Sequence, residues 1–293
     1  MLTPNDWKDY ALLDAGGGEK LERWGEIKVI RPDPQAIWPR TAPEVWKKPH
    51  MYYHRSKSGG GHWDKLLPTP DTWDISFGEL RFHIRPTGFK HMGLFPEQAV
   101  NWRWMMDKIK AAARPVKILN LFAYTGGATV ACLSAGASVV HIDAAKGMNA
   151  QAKDNIILSG LGDAPHRIMA DDVLKFVQRE NRRGSFYDGI IMDPPVFGRG
   201  PKGELWKLED RLYELVQAAV SILSKDPLFM LINAYTAGLS PAVYGNILQL
   251  VMSPGKTSFG ELGLKAQSDI LLPCGMYAKW EAACPPLGGG MSA

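Results

Sequence analysis

Short apolar runs alternate with longer stretches of mixed character between Ile118 and Asn233. Ile118–Phe122, Ser138–Ile142, Arg167–Ala170, Tyr187–Met192 and Leu228–Asn233 read as buried strands by their length and continuity. Ala128–Ala135, Asn149–Leu158, Val173–Asn181 and Leu205–Leu223 read as helices between or after them. This alternation predicts an α/β fold built on a doubly wound sheet. Right-handed crossovers bring the carboxyl ends of such strands to one edge. That edge collects Phe122–Gly127, Asp143, Asp171 with Asp172, and Asp193–Phe197. A helix over Gln98–Ala113 leads into the alternation, with Trp102, Met105, Met106 and Ile109 on one side. Ser240–Val251 follows as a helix, and Ser268–Leu272 and Tyr277–Trp280 as two closing strands around Pro273-Cys274-Gly275.

Residues 1–88 differ. They are rich in Trp, Pro and Gly, and Pro32, Pro34, Pro39 and Pro43 keep the chain out of long helices. Glu26–Ile30 is a short strand candidate, and Trp73–Phe77 with Leu80–Ile84 alternates at period two around Gly78-Glu79, a β-hairpin. We expect a small β-rich N-terminal domain over residues 1–88 and a second domain over residues 89–293, in line with the prior for 293 residues.

Composition adds limits. The chain is 45% hydrophobic and 22% charged, enough to bury a sizeable core. A net charge of +4 is compatible with a nucleic-acid substrate without arguing for one. Cys132, Cys274 and Cys284 are widely spaced and odd in number, the N-terminus lacks the pattern of a signal peptide, and no apolar run approaches a membrane span. A cytoplasmic protein without membrane association is the expectation. His50, His54 and His62 match no zinc spacing, so no metal is expected. The glycine-rich Ser56–Gly61 follows no strand and opens no helix with Gly-Lys-Ser/Thr, and reads as a flexible loop.

The strand ends suggest chemistry. Gly126 and Gly127 leave room for close backbone approach, and Asp143, about 20 residues on, is placed to accept hydrogen bonds from a ribose diol. Asp171 or Asp172 offers a carboxylate to an exocyclic amine. The turn is Tyr-Thr-Gly-Gly-Ala rather than Gly-x-Gly-x-x-Gly, and no pyrophosphate cradle follows, which argues against a nicotinamide cofactor. Asp193-Pro194-Pro195-Val196-Phe197 is the decisive tip. Its prolines fix φ and donate no N–H, so the turn is stiff and presents acceptors, while Phe197 can stack on a planar base.

At these residues the chain resembles the class I S-adenosylmethionine-dependent methyltransferases. Within them it is similar to the large-subunit enzymes that modify 23S ribosomal RNA at cytosine C5 or guanine N7. The resemblance rests on Asn120–Ala137, Asp143, Asp154–Leu161, Ala170–Phe176 and Ile190–Phe197, preceded by Gly88–Trp104 with its Lys-x-x-Gly-x-aromatic-x-x-Gln spacing. It implies a Rossmann-like methyltransferase sheet, S-adenosylmethionine as cofactor and RNA of the ribosome as substrate. It implies that Phe122, Tyr124, Thr125 and Gly126 line the methionine and ribose end, that Asp143 binds the ribose and that Asp172 or Asp171 reads the adenine. By the same resemblance Gly93, Phe95 and Gln98 cover the cofactor, and Asp193, with Pro194, Pro195 and Phe197, stands at the reacting centre.

The chain departs from the family at two places. Cytosine-C5 transfer needs a thiolate to attack the ring. The Asp193 tip has no cysteine, the next strand leads into Asn233-Ala234-Tyr235-Thr236, Cys132 sits in a helix and Cys274 near the closing strands. Transfer to a base nitrogen is therefore favoured. The second departure is Ala144-Ala145 after Asp143, where the family commonly has a small hydroxyl residue. Arg199, Lys202, Lys207 and Arg211 follow the decisive tip as candidate RNA contacts. A protein or small-molecule methyl acceptor, or a non-catalytic nucleoside-binding module, are the competing readings.

Overall fold

Charged residues inside apolar strands shape the N-terminal part. The computed structural model describes residues 1–56, 60–200, 203–236, 238–252 and 254–283. Residues 57–59 of the glycine-rich stretch, Lys202 and the Pro/Gly-rich tail lie outside them. Strands β1 (Tyr10–Gly16), β2 (Glu19–Trp24), β3 (Ile27–Pro32), β4 (Met51–Arg55) and β5 (Gly61–Lys65) form one sheet in that order, antiparallel except where β3 meets β4. The reading of Glu26–Ile30 as a strand captures β3 and misses the strands around it. Asp14 and Glu22 are fully buried in β1 and β2 and interrupt the apolar signal. Each is compensated: Trp46 Nε1 donates to Asp14 at 2.7 Å, and Tyr10 Oη and Arg31 Nη2 each donate to Glu22 at 2.8 Å. The hairpin β6 (Trp73–Phe77) and β7 (Leu80–Ile84) forms as the alternation predicts.

The remainder runs α1 (Ala99–Ala111), β8 (Lys117–Leu121), α2 (Gly127–Ser134), β9 (Ser138–Ile142), α3 (Lys146–Leu158), β10 (His166–Met169), α4 (Val173–Arg183) and β11 (Gly189–Met192). Then come β12 (Phe197–Arg199), β13 (Leu205–Lys207), α5 (Leu208–Val220), β14 (Phe229–Ala234), α6 (Pro241–Val251), β15 (Lys256–Lys265) and β16 (Leu271–Glu281). The central sheet has the order β10-β9-β8-β11-β14-β16-β15. Its first five strands are parallel, and β16 and β15 close it antiparallel. Chain order reverses between β8 and β11, which opens a crevice at their carboxyl ends.

Two expectations are corrected. The closing strands are not Ser268–Leu272 and Tyr277–Trp280: a single strand, β16, runs through Pro273-Cys274-Gly275, and its partner is β15. The register slips there, pairing Leu262 with Gly275 and Gly263 with Pro273, so Cys274 is the extra residue of a bulge that accommodates a proline in a sheet. β15 is an exposed edge over most of its length and carries little apolar alternation. The second correction concerns the helix expected from Leu205 and the stretch just before it. Phe197 pairs with Lys207 and Arg199 with Leu205 in the β12–β13 hairpin, and helix α5 starts at Leu208.

One apolar core unites the β6–β7 hairpin with α1 and α2. Trp102 of α1, 3% exposed, lies 5.7 Å from Phe77, 5.3 Å from Phe82 and 6.1 Å from Trp7. No helix among the described residues is long and apolar enough to cross a membrane. Trp102→Ala leaves a cavity between these layers, and we expect a loss of about 3–5 kcal/mol, read as a lowered urea midpoint.

Candidate active site

The turn after β8 is built from left-handed backbone. Phe122 and Tyr124 have φ of 54° and 51°, and Gly126 has 84°. For a non-glycine residue this conformation costs on the order of 1–3 kcal/mol and persists only where its surroundings enforce it. Here they do. Ala123 N–H donates to Ile142 O at 3.0 Å, Tyr124 N–H to Asp143 Oδ2 at 2.9 Å, and Thr125 Oγ1 to Gly93 O at 2.5 Å. Asn155 Nδ2 donates to Thr125 O at 2.8 Å.

The two glycines serve packing. A Cβ on Gly126 would stand 2.9 Å from Cβ of Ala152 in α3, and one on Gly127 2.8 Å from the Trp102 ring. Phe122 and Tyr124 line the crevice, while Thr125 is buried beneath it and borders a small side pocket with Gln98. Gly126 lines neither space. Gln98 belongs to an amide cluster: its Nε2 donates to Tyr235 Oη at 2.7 Å, and Asn101 Nδ2 donates to Gln98 Oε1 and Asn233 Oδ1, each at 2.9 Å.

The crevice is a cavity of about 1080 Å³. Phe95 and the tips Phe122, Tyr124, Asp143, Asp171, Asp172, Asp193, Pro194 and Pro195 all line it, so most residues singled out in the sequence converge. Asp143 is held by its own turn: Oδ1 accepts the Ala145 N–H at 2.8 Å while Oδ2 holds Tyr124. Burial pushes its carboxyl up, and these two N–H groups pull it back. Asp171 pairs with Arg179 and accepts the Asp172 N–H at 2.9 Å. Asp172 caps α4 by accepting the Lys175 N–H at 2.9 Å.

The opposite wall comes from residues 1–88, which the sequence does not single out, and from the connector after them, where it singles out Gly93, Phe95 and Gln98. Lys20, Arg31, Asp33, Lys90 and His91 stand there. Lys20 pairs with Asp33 at 3.0 Å, and burial together with Arg31, Lys90 and Lys20 pushes His91 down to about 4, so it is neutral. Glu97, Tyr235 and Cys274 are also missed. Glu97 is 4% exposed in a 3-10 turn over Pro96–Gln98. Burial and the neighbouring Glu97 push Asp193 up to about 7. Burial and Glu97 likewise push the Cys274 thiol far up, which keeps it protonated. The available signal for Glu97 is its place beside Gln98 in the Lys-x-x-Gly segment.

Phe197 lies outside the cavity lining, 59% exposed on the β12–β13 hairpin. The hairpin is fastened by Trp206, whose indole N–H donates to Pro195 O at 2.6 Å and whose ring lies 4.9 Å from Phe122. Arg199 lines the rim. Lys207 and Arg211 are paired with Asp210 at 3.5 Å and Glu214 at 3.0 Å along α5. His54 and His62 stack at 5.2 Å beside Asp64, away from the cavity. Among the described residues no group of three or more His, Cys, Asp or Glu could hold a metal ion.

Residues 47–227 match the family model described as S-adenosylmethionine-dependent methyltransferase. A ribosomal RNA large subunit methyltransferase K/L of Chromohalobacter salexigens is 29% identical over 240 residues, 75% of this chain and 31% of that protein. A ribosomal RNA large subunit methyltransferase K of Neisseria meningitidis is 27% identical over 60% of this chain and 49% of its own length. The chain thus spans less than half of these two curated relatives. The crystal structure of a SAM-dependent methyltransferase from Agrobacterium tumefaciens superposes with a TM-score of 0.92 at 37% identity, covering 96% of this chain and 93% of that one. A methyltransferase structure from Streptococcus mutans, 16% identical, shares the fold with a TM-score of 0.73 over 94% of this chain and 76% of its own. The chain belongs to the S-adenosylmethionine-dependent methyltransferases.

Proposed function

We propose that this enzyme methylates a base nitrogen of RNA, with ribosomal RNA as the substrate class. The carrying observation is the Asp193-Pro194-Pro195 tip on the cavity floor, in a cavity whose one lining cysteine is held protonated. S-adenosylmethionine supplies an electrophilic methyl group on a cationic sulfonium. The residues present fit it. Asp143, fixed by two N–H groups, has acceptor capacity left for a ribose diol. Asp172 keeps one oxygen beyond its cap bond for an adenine amine, whereas Asp171 is committed to Arg179. Phe95, Phe122 and Tyr124 supply apolar walls. A volume of about 1080 Å³ exceeds the upper end of typical single-ligand pockets, roughly 1,000 Å³, which leaves space for an acceptor base beside the cofactor.

For the acceptor, the Asp193 carboxylate and the proline-stiffened carbonyls offer hydrogen-bond acceptors to an amino or ring N–H group. They orient its lone pair toward the electrophile, and in such a displacement alignment supplies most of the acceleration. A C5 acceptor would need a thiolate, and Cys274 is kept from ionising by burial and by Glu97. RNA is supported by the relatives' names, by Arg199 on the rim, and by Phe197 exposed on the hairpin, where stacking of one base contributes about 1–3 kcal/mol. Lys20 and Arg31, from residues 1–88, line the same cavity. An RNA substrate also accords with a cytoplasmic location.

Incubation with labelled cofactor and either undermodified ribosomal RNA or total cell protein tests the substrate class. Label is expected in RNA, and nucleoside mass spectrometry then identifies the methylated base. Label confined to protein rejects the RNA assignment, and a C5-methylated pyrimidine rejects the nitrogen acceptor. Asp193→Ala should fold and retain S-adenosylhomocysteine binding by calorimetry while losing about 100-fold or more in transfer rate. Wild-type turnover by that variant would remove Asp193 from the reacting centre.

A further inference from the structure

Two carboxylates line one cavity without a basic partner, Glu97 buried at 4% exposure and Asp193 half-buried. Neither Glu97 nor Asp193 has a Lys, Arg or His at ion-pair distance among the described residues. Tyr235, beyond the end of β14, shares a hydrogen bond with Glu97 and is pushed far up by burial, Glu97 and Asp193, so it is neutral. Cys274, on the β16 bulge, is neutral for the same kind of reason. Lys20 of β2 acts on Glu97 only at a distance, because its ammonium is held by Asp33 at 3.0 Å and Glu22 at 3.9 Å. Arg31 of β3 is likewise committed to Glu22 through two hydrogen bonds. Two ionised carboxylates here would leave an uncompensated negative pair in a buried site, which is strongly disfavoured.

We propose that Glu97 and Asp193, lining one cavity, together form the counter-ion for the sulfonium of S-adenosylmethionine, carrying one negative charge between them when that cation is absent and two when it binds. The proposal rests on the placement of the cofactor's reactive end at Asp193. Both carboxyls are displaced in the sense it requires: Glu97 upward by burial, Asp193 to about 7 by burial and by Glu97. The balance is simple. The pair carries one negative charge with its proton; the arriving cation stabilises the second, and the proton leaves to solvent. S-adenosylhomocysteine has the same adenosine, ammonium and carboxylate but a neutral thioether in place of the sulfonium. The pair then takes its proton back, and the spent cofactor is held without the charge attraction that held the donor. Donor and product are thereby distinguished by charge at one point, in two molecules that differ by one methyl group.

The sign of the pH dependence follows. Because both carboxyls must ionise to receive the cation, donor affinity rises with pH through the titration of the pair. With one linked proton and an apparent value of about 7, the gain between about pH 6 and about pH 8 is about tenfold. Product affinity stays flat over the same range.

Calorimetry of the full chain in buffers of different ionisation enthalpy counts the protons. Near neutral pH we expect roughly half a proton to one proton released per S-adenosylmethionine bound, and close to none for S-adenosylhomocysteine. Glu97→Gln should lower the donor-linked release, since burial still pushes Asp193 up, and reduce the donor-to-product affinity ratio by about tenfold. Equal proton counts and parallel pH profiles for the two ligands would overturn the proposal. Should Glu97→Gln not fold, Asp193→Asn gives the same comparison, and the wild-type proton count stands without either variant. Failure of a folded sample to bind either ligand would instead reject the cofactor placement on which the proposal rests.

Discussion

The Asp143 carboxylate joins two strand ends. One oxygen takes the N–H of Tyr124 from the turn after β8, and the other takes the N–H of Ala145 ahead of α3. The first bond acts with those of Ala123 and Thr125 on either side to hold the left-handed backbone of Tyr124 and the alternation of φ through Phe122, Tyr124 and Gly126. That alternation turns the Phe122 and Tyr124 rings to the cavity while Thr125 goes beneath it to bind Gly93. The connector that carries Phe95 and Glu97 is thus tied to the same turn. The carboxylate at the tip of β9 and the Thr125 hydroxyl thus fix together the turn after β8 and the connector beside the cavity.

The N-terminal sheet extends this constraint across the cavity. Buried ion pairs add little net stability, since desolvation offsets much of their attraction, but they fix geometry once formed. Glu22 with Arg31 and Tyr10, and Lys20 with Asp33, hold cationic side chains at the cavity wall while cancelling most of their charge. The wall is consequently polar and ordered without being a strong anion trap. Arg31 Nη1 also donates to the Lys90 carbonyl at 3.1 Å, which joins the sheet to the connector beside the site.

The sequence displayed β8, β11 and β14 clearly because these central parallel strands are almost wholly buried and appear as largely apolar runs. Ser138–Ile142 and the Trp73–Ile84 hairpin emerge with their predicted limits. The signal failed where a second demand is laid over the period. Asp14 and Glu22 occupy inward positions because partners distant in sequence satisfy them. Pro273 looks like a chain break, yet the bulge at Cys274 lets one strand pass through it. For the site, the acidic strand tips were legible because topology alone brings them to one edge. Glu97, Tyr235 and Lys20 were not, since each enters the cavity from an element whose position depends on the folded N-terminal sheet or on the path of the chain beyond β14. The glycine pair was legible as a turn but not in its packing: a Cβ at Gly126 or Gly127 would meet Ala152 or Trp102.

Asp143 and Asp193 show how one residue type takes two tasks on neighbouring strands. Asp143 accepts two backbone N–H groups, which stabilise its charge against the effect of burial and leave it an acceptor. Asp193 has burial and a like-charged neighbour, and both act against its charge. The first environment suits a neutral diol, whose recognition needs a fixed acceptor and no change of protonation. The second suits a ligand that brings its own positive charge, because only such a ligand removes the penalty that Glu97 imposes. Environments that drive two carboxyls apart divide their roles. In this cavity that division runs between the strand tip assigned to the ribose and the strand tip assigned to the transferred methyl group.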